Sequence, residues 1–344
     1  MAKNKLLLDS AYRRPTERRP VWLMRQAGRY LPEYHEVRRQ YDFLTLCKTP
    51  DAAAEVSIQP YDILGVDAII FFCDILIPCE AMGMELVFTD KQGPVFPQPL
   101  RSAQAVADLE VVKAREKTPF VAETISAIQK RIKGDVPVIG FAGTPWTLAC
   151  YMVEGRGSRN FENIKIMMWN QPEQLHELLK KLTATLVDYI DLQLEGGADA
   201  FQLFDTWGGL LSPAQWREFS LPYIRQMLDH FAGRGKPRML YVKGTSPLLE
   251  TMAASGADVL SIDWMCDLAE ARAVVGERTA IQGNLDPVLM LARPEIVEAE
   301  TRKMLDNFGP GPGLICNLGH GLLPSTPVAN VQRFVETVKQ YGSR

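Results

Sequence analysis

The sequence predicts an α/β fold, a single-domain (β/α)8 TIM barrel, and two observations carry that prediction. Short, continuously apolar runs alternate with longer amphipathic segments, which is typical of parallel strands covered by helices. No low-complexity linker or shift in composition divides the 344 residues. We therefore expect residues 1–344 to form one domain, with residues 1–19 as a partly ordered N-terminal arm. An open, doubly wound sheet is the alternative that shows the same alternation.

Eight apolar runs are predicted as strands, which is the number that a closed (β/α)8 barrel requires. They are Val21–Met24, Ala68–Cys73, Val138–Ala142, Ala200–Phe204, Met239–Val242, Val259–Ile262, Ala280–Gln282 and Leu314–Asn317.

Helix starts are marked by pairs of a Ser or Thr N-cap followed by proline, which fits the first helical position. The pairs are Thr49-Pro50, Thr144-Pro145, Ser212-Pro213 and Thr326-Pro327. Ser212 is followed by Gln215, a capping-box pattern. Gly196-Gly197 is expected to end a long helix that runs from about Pro172 to Glu195.

Polar residues follow most of the predicted strands, at the edge where such barrels place their active sites. Reading the residues just beyond each run gives Arg25, Asp74, Gly143-Thr144, Asp205-Thr206, Lys243, Asp263, Gly283-Asn284 and Gly319-His320. The sequence therefore predicts a polar site at one face of the barrel.

Composition argues against several classes of protein. The formal net charge of −3 does not favour nucleic acid as a partner. No apolar run approaches the roughly 20 residues of a membrane span, and the first residues lack the apolar stretch of a signal peptide. The six cysteines are scattered without a CxxC pair, which is typical of reduced thiols. We therefore expect a cytoplasmic protein that binds neither nucleic acid nor membrane.

The segment from Pro20 to Pro32 contains two arginines, Arg25 and Arg29, around Ala27-Gly28. Guanidinium groups bind carboxylates through paired, charge-assisted hydrogen bonds, and the two small residues leave room for a bulky ligand. A surface loop with two solvated arginines explains the spacing equally well. For the earlier basic residues, a solvated N-terminal arm is the expectation: Arg13, Arg14, Arg18 and Arg19.

Asp74 stands in apolar company, after Ala68–Cys73 and before Ile75-Leu76-Ile77. An ionised carboxylate is costly there unless cations or hydrogen-bond donors accompany it. One interpretation is an aspartate that caps the end of a strand. The other is a carboxylate at the centre of a binding cleft, ready to accept hydrogen bonds from a ligand.

Six segments, in order along nearly the whole chain, resemble the uroporphyrinogen decarboxylase family. They are PVWLMRQAGRYLPEY at 20–34, FFCDIL at 71–76, GFAGTPWTL with Tyr151-Met152 at 140–152, FDTWGG at 204–209, QGNLDP at 282–287 and NLGHG at 317–321. The resemblance independently implies the barrel. It also implies cofactor-independent decarboxylation, without a metal, of the four acetate groups of uroporphyrinogen III to methyl groups, giving coproporphyrinogen III, by a homodimer.

The resemblance also implies roles for particular residues. It makes Asp74 the residue that binds the macrocycle and stabilises a cationic intermediate, with Arg25, Arg29 and Tyr151 as the other catalytic candidates. It implies a substrate-binding set of Arg25, Gln26, Ala27, Gly28, Arg29, Arg38, Asp74, Tyr151, Thr206 and His320. From the residues alone, simpler interpretations stay open: Arg38 on a helix face, Tyr151 packed on the core, and His320 as a structural loop residue.

Two other functions compete with this one. A zinc-dependent, corrinoid-linked methyltransferase would share the barrel, but it typically needs a His-x-Cys pair, which the sequence lacks. A porphyrinogen-binding protein without activity would keep the arginines and lose Asp74 or Tyr151, whereas this chain has both.

Overall fold

The computed structural model describes residues 2–89 and 93–343 and shows an α/β fold built on a curled sheet of seven parallel strands. The strand order is β1-β4-β5-β6-β7-β8-β9, so each strand lies beside its neighbour in the chain, apart from a separate antiparallel hairpin, β2-β3. The strands are β1 Ile69–Ile70, β2 Val87–Thr89, β3 Gly93–Val95, β4 Val138–Gly143, β5 Ala200–Asp205, β6 Arg238–Val242, β7 Val259–Ser261, β8 Ala280–Leu285 and β9 Leu314–Leu318.

Seven of the eight predicted strands are confirmed, with ends that shift by at most three residues. Their continuously apolar composition is explained by burial on both faces, since helices cover the outside of the sheet. The register is regular; for example, Ile139 of β4 pairs with Ala200 of β5. The prediction missed the short β2-β3 hairpin, which follows β1 and has no long apolar run.

The first predicted strand, Val21–Met24, is only a single bridge, between Val21 and Cys316 of β9. The Val21 carbonyl also accepts a hydrogen bond (2.8 Å) from the N–H of Asp67, just before β1. Beyond Trp22 the backbone N–H groups bond to side chains instead: Leu23 N–H donates to Gln26 Oε1 at 3.0 Å, and Met24 N–H donates to Asn317 Oδ1 at 3.1 Å. This segment therefore connects the two edges of the seven-stranded sheet without forming a regular strand.

Helices occupy most of the connections between strands. They are α1 Leu6–Ala11, α2 Pro32–Arg38, α3 Phe43–Lys48, α4 Pro50–Leu64, α5 Ile77–Ala81, α6 Ala103–Ala107, α7 Ala114–Lys117, α8 Pro119–Ile132, α9 Pro145–Glu154, α10 Glu162–Asn170, α11 Pro172–Glu195, α12 Pro213–Phe219, α13 Leu221–His230, α14 Leu249–Ala253, α15 Leu268–Val275, α16 Pro294–Phe308 and α17 Val328–Tyr341, with 3-10 turns at Gly208–Leu210, Ser246–Leu248 and Pro287–Leu291.

Three of the four predicted helix starts are confirmed, because α4, α9 and α12 each begin at the proline of the pair. Ser212 and Gln215 form the complete capping box. The fourth start is wrong by one residue: α17 begins at Val328, with Pro327 as its N-cap. The long helix α11 ends at Glu195, as the glycine pair predicted.

The expectation that the early arginines are solvated is wrong for two of them. Arg18 pairs with the buried Asp67 at 2.6 Å, and Arg19 is only 7% exposed. Arg19 donates to the carbonyl oxygens of Leu305 and Gly309 at the end of α16. Arg18 is therefore held by a buried carboxylate, and Arg19 by the carbonyls at the C-terminus of a helix, which attract a cation.

The buried apolar side chains form one connected cluster that runs through the sheet and the covering helices. None of the helices in residues 2–89 and 93–343 is long and apolar enough to cross a membrane.

Candidate active site

A row of four buried aromatic rings lines the interior of the sheet near its carboxyl end. Phe71 after β1, Phe141 on β4 and Phe204 on β5 follow one another with centroids 4.9 and 6.0 Å apart, and Tyr241 on β6 continues the row at 5.9 Å. Aromatic faces in offset or edge contact make a firm apolar surface. We call these four residues the aromatic floor.

Arg25 reaches over this floor from the segment that joins the two sheet edges. Its backbone is left-handed, with φ 61°, a conformation that is strained for a residue with a side chain. The side chain then lies against Gly321, where a Cβ atom would stand 2.3 Å from Arg25 Cδ. Glycine at 321 is therefore required by the path of the arginine.

Asp74 follows β1, four residues beyond Ile70, and is a partly exposed residue. Oδ1 accepts a hydrogen bond from the Leu76 N–H at 2.8 Å. Burial raises the pKa of Asp74 to about 6, against the lowering effects of that bond and of Arg25. At neutral pH the group is mainly a carboxylate, with capacity left to accept hydrogen bonds from a ligand.

Tyr151, on α9, lies close to Asp74 and Arg25. Burial, together with the negative charge of Asp74, raises the pKa of Tyr151 to about 12, so its hydroxyl stays protonated. The ring packs edge-on against Trp207 at 5.9 Å. The arrangement places a neutral hydroxyl group beside a carboxylate, in the space above the aromatic floor that we call the cleft.

His320 follows β9 and meets the ring of Tyr241 at 5.9 Å. Burial, with the charges of Arg25 and Lys243, lowers the pKa of His320 to about 3, so the imidazole is neutral. The Gly321 N–H donates to Nδ1 at 2.6 Å, which leaves the ring proton on Nε2. His320 therefore presents a neutral N–H donor.

Arg29 and Arg38 lie farther out, around Tyr34 on α2. Both guanidinium groups lower the pKa of the Tyr34 phenol, although burial dominates and raises it. Tyr34 in turn packs against Phe72, two residues before Asp74, at 5.8 Å. The two arginines therefore form the rim of the cleft on the β1 side.

The remaining predicted residues differ in place. Ala27 and Gly28 are partly exposed between the arginines, and Thr206 is partly exposed after β5. Gln26 is not brought to the cleft, because its side chain is fully buried. Its Oε1 accepts from Leu23 N–H and its Nε2 donates to Ala68 O, both at 3.0 Å, so Gln26 holds the Arg25 segment against β1.

Asp205, at the end of β5, is a second carboxylate at the same edge of the sheet, and it is fully buried. Thr144 and Thr147 donate to Oδ1 at 2.7 and 3.0 Å, and Trp216 and Ser220 donate to Oδ2, both at 2.8 Å. Burial raises the pKa of Asp205, and the four donors oppose that shift. Both oxygens are occupied, so this group has no capacity for a ligand.

Comparison with known proteins identifies the family of this chain. The family model described as Uroporphyrinogen decarboxylase (URO-D) matches residues 2–341. The chain belongs to the uroporphyrinogen decarboxylase family. A uroporphyrinogen decarboxylase of Geobacter metallireducens is 47% identical over 99% of this chain and 100% of its own length. The one of Geobacter sulfurreducens is 46% identical over the same shares.

Solved structures bear on the fold alone. A methyltransferase from Methanosarcina mazei aligns with a TM-score of 0.83 over 98% of both chains, at 21% identity. A putative vitamin-B12-independent methionine synthase from Listeria monocytogenes aligns at 0.60 over 96% of this chain, at 13% identity. The match to the decarboxylase family decides between decarboxylation and the methyltransferase alternative that the sequence left open.

The candidate site also contains residues that the sequence analysis did not assign to it. The aromatic floor had a visible signal, because an aromatic residue stands shortly before the polar strand end in FFCD, LFD and LYVK. Lys243 was placed at a strand end without a role. The neutral state of His320 had no signal, since it arises from neighbours distant in sequence. Among the described residues, no group of three or more His, Cys, Asp and Glu could hold a metal ion.

Proposed function

We propose that this cleft binds uroporphyrinogen III and removes the carboxyl groups of its four acetate side chains, giving coproporphyrinogen III. Family membership over almost the whole chain supports the reaction. The geometry supports the place, because the aromatic floor suits an apolar macrocycle and the rim arginines suit its peripheral carboxylates.

The observation that carries the proposal is Asp74, a carboxylate with open acceptor capacity beside the aromatic floor. The four pyrrole N–H groups of the substrate are donors that point to the centre of the macrocycle. A single carboxylate at that centre accepts them and places its negative charge next to the rings. In a cleft of low dielectric, this charge stabilises a positive ring far better than it would in water.

The chemistry follows from that charge. Protonation of a pyrrole α-carbon makes the ring cationic, and the C–C bond to the acetate carboxylate then breaks as its electron pair moves into the ring. CO2 leaves, and protonation of the exocyclic methylene carbon, with loss of the α-carbon proton, yields a methyl group. Asp74 stabilises the cation throughout, so this chain needs no cofactor as an electron sink.

The other residues bind and orient the substrate. Arg25 and Arg29 bind peripheral carboxylates, with Arg38 farther along the rim, and each bond contributes roughly 1.5–3 kcal/mol when partly desolvated. Tyr151 and His320 offer a neutral O–H and a neutral N–H, which bind an acetate without adding charge. Arg25 or Arg29, being close to the substrate, is our candidate for the proton source.

We also propose that the chain is a single-domain (β/α)8 barrel in which the Val21 segment takes the place of the eighth strand. Its support is the pair of contacts from Val21, to Cys316 on one side and Asp67 on the other. The homodimer and the cytoplasmic location stay predictions, and sedimentation of the purified protein tests the former.

The deciding experiment is anaerobic turnover of uroporphyrinogen III with a chelator present, followed by chromatography of the oxidised products. We expect a ladder from eight carboxylates to four. Binding without loss of any carboxylate would instead indicate a tetrapyrrole-binding protein without this activity. Loss of turnover on chelation, restored by zinc, would contradict the metal-independent mechanism.

A further inference from the structure

All the arginines proposed for substrate binding come from one side of the cleft, the segment between residues 25 and 38. The substrate carries carboxylates around its whole perimeter. The opposite wall is formed by the carboxyl end of β6, because β6 is the middle strand of seven and the Arg25 segment joins the two outer ones. The carboxylates on that side of the substrate need a cation on this wall.

Lys243 lies there, and the backbone directs its side chain inward. Tyr241, two residues earlier, crosses the interior, since its hydroxyl donates to the Gly319 carbonyl at 2.9 Å. Alternate residues of a strand share a face, and the ladder continues to Lys243, whose N–H donates to the Asp205 carbonyl. Lys243 therefore stands one layer above Tyr241, on the cleft side of the aromatic floor.

Within residues 2–89 and 93–343 the ammonium group of Lys243 forms no ion pair, and the residue is partly exposed. The carboxylate that follows the neighbouring strand β7, Asp263, accepts hydrogen bonds from the N–H groups of Gly244 and Met265 instead. By contrast Lys236, which precedes the other end of the same strand, pairs with Asp199 at 3.7 Å. Lys243 is thus a cation left free for a ligand.

Its backbone is also held firmly in place. Gly209 packs so closely that a Cβ atom there would stand 2.4 Å from the Lys243 carbonyl oxygen. Gly244 adopts φ 83°, which favours glycine, and its N–H is bound by Asp263. A residue whose backbone is anchored in this way loses little conformational freedom when its side chain binds a ligand.

We propose that Lys243 is a carboxylate-binding residue of this site, which holds a peripheral carboxylate of the tetrapyrrole on the wall opposite Arg25 and Arg29. The proposal rests on the proposed function for the identity of the substrate. It extends that function, because cations then bind the macrocycle from two opposite sides and fix the plane of the ring over Asp74.

The test compares Lys243→Met, which keeps the apolar stem, with Lys243→Arg, which keeps the charge. We expect Lys243→Met to raise KM for uroporphyrinogen III about ten-fold, equivalent to about 1.4 kcal/mol, with kcat within about two-fold. Lys243→Arg should recover most of the affinity. The dependence of kcat/KM on ionic strength should be shallower in Lys243→Met, which a purely structural role would not cause.

The control is Lys180→Met, which removes the same charge from an exposed position on α11. An unchanged KM and salt dependence in Lys243→Met, or an equal change in Lys180→Met, would overturn the proposal. Equal weakening in the Met and Arg variants would do the same, because the charge would then be irrelevant.

A second measurement keeps the proposal separate from the proposed activity. Fluorescence titration with uroporphyrin, the oxidised octacarboxylate, reports affinity without turnover, and thermal unfolding of each variant reports folding. If the wild type binds uroporphyrin but does not decarboxylate uroporphyrinogen, the proposed function fails. Weaker binding by folded Lys243→Met then still supports the role of Lys243, and unchanged binding rejects it.

Discussion

Two aspartates lie at the same edge of the sheet: Asp74 follows β1, and Asp205 is the last residue of β5. Burial raises the pKa of both. Their surroundings differ. Asp205 is fully buried and receives four side-chain hydrogen bonds, two on each oxygen. Asp74 is partly exposed, and in the described residues a single backbone N–H donates to it.

Hydrogen-bond saturation therefore separates a structural carboxylate from a functional one. Both oxygens of Asp205 are already hydrogen-bonded, so they cannot accept further bonds from a ligand. Their role is structural, because these bonds join β5 to α9, α12 and α13. Oxygens with spare acceptor capacity destabilise the free protein and are stabilised when a ligand supplies donors. Position at a strand end is common to both residues and distinguishes neither.

The largest expected effect is on activity, from Asp74→Asn. The substitution keeps the shape and removes the charge opposite the cationic intermediate, so kcat should fall by about 10³-fold, the scale of losing a principal electrostatic stabiliser. Steady-state turnover of uroporphyrinogen III measures this. Rates like those of the wild type would refute the electrostatic role of Asp74.

Asp205→Asn should act on stability instead. An amide presents N–H donors to groups that themselves donate, so we expect a loss of about 3 kcal/mol in the free energy of unfolding. Denaturant unfolding measures it, and turnover per folded molecule should stay within a few-fold of the wild type. A loss of activity as large as that of Asp74→Asn, without a loss of stability, would erase the distinction between the two carboxylates.

The stability of the wild type should depend on pH differently from that of the Asp74→Asn variant. The folded protein holds the Asp74 proton more tightly than the unfolded chain, whose pKa is near 3.8. The contribution of this group to the free energy of unfolding therefore falls as pH rises from about 4 to about 6. Asp74→Asn lacks this fall, so it should be more stable than the wild type at pH 7 by about 2–3 kcal/mol. A pH-independent difference would contradict the raised pKa.

The smallest expected effect comes from removing one donor of the saturated carboxylate. Ser220→Ala deletes one of the four hydrogen bonds to Asp205, at 2.8 Å, from the residue that joins α12 to α13. We expect a loss of about 1 kcal/mol in stability, because three donors remain. Thermal unfolding measures it. A change in kcat beyond about two-fold would show that the Asp205 network sets the geometry of the cleft.

Much of this protein was predictable from the sequence. Local signals located seven strands, three helix starts and the capping box of Ser212, because a buried strand needs a continuous apolar run and a helix end needs a cap. The positions just beyond the predicted strands also placed Asp74 and His320 at one edge of the sheet, because the carboxyl ends of parallel strands lie at the same edge.

The tertiary structure alone decided how each of these residues behaves. Asp74 and Asp205 have the same setting in sequence, and only the donors from α9, α12 and α13 make one of them saturated. The neutral state of His320 and the unpaired charge of Lys243 arise in the same way. Hydrogen bonding and desolvation depend on atoms within a few ångströms in space, and these atoms come from other segments of the chain: Thr144, for example, lies 61 residues before Asp205.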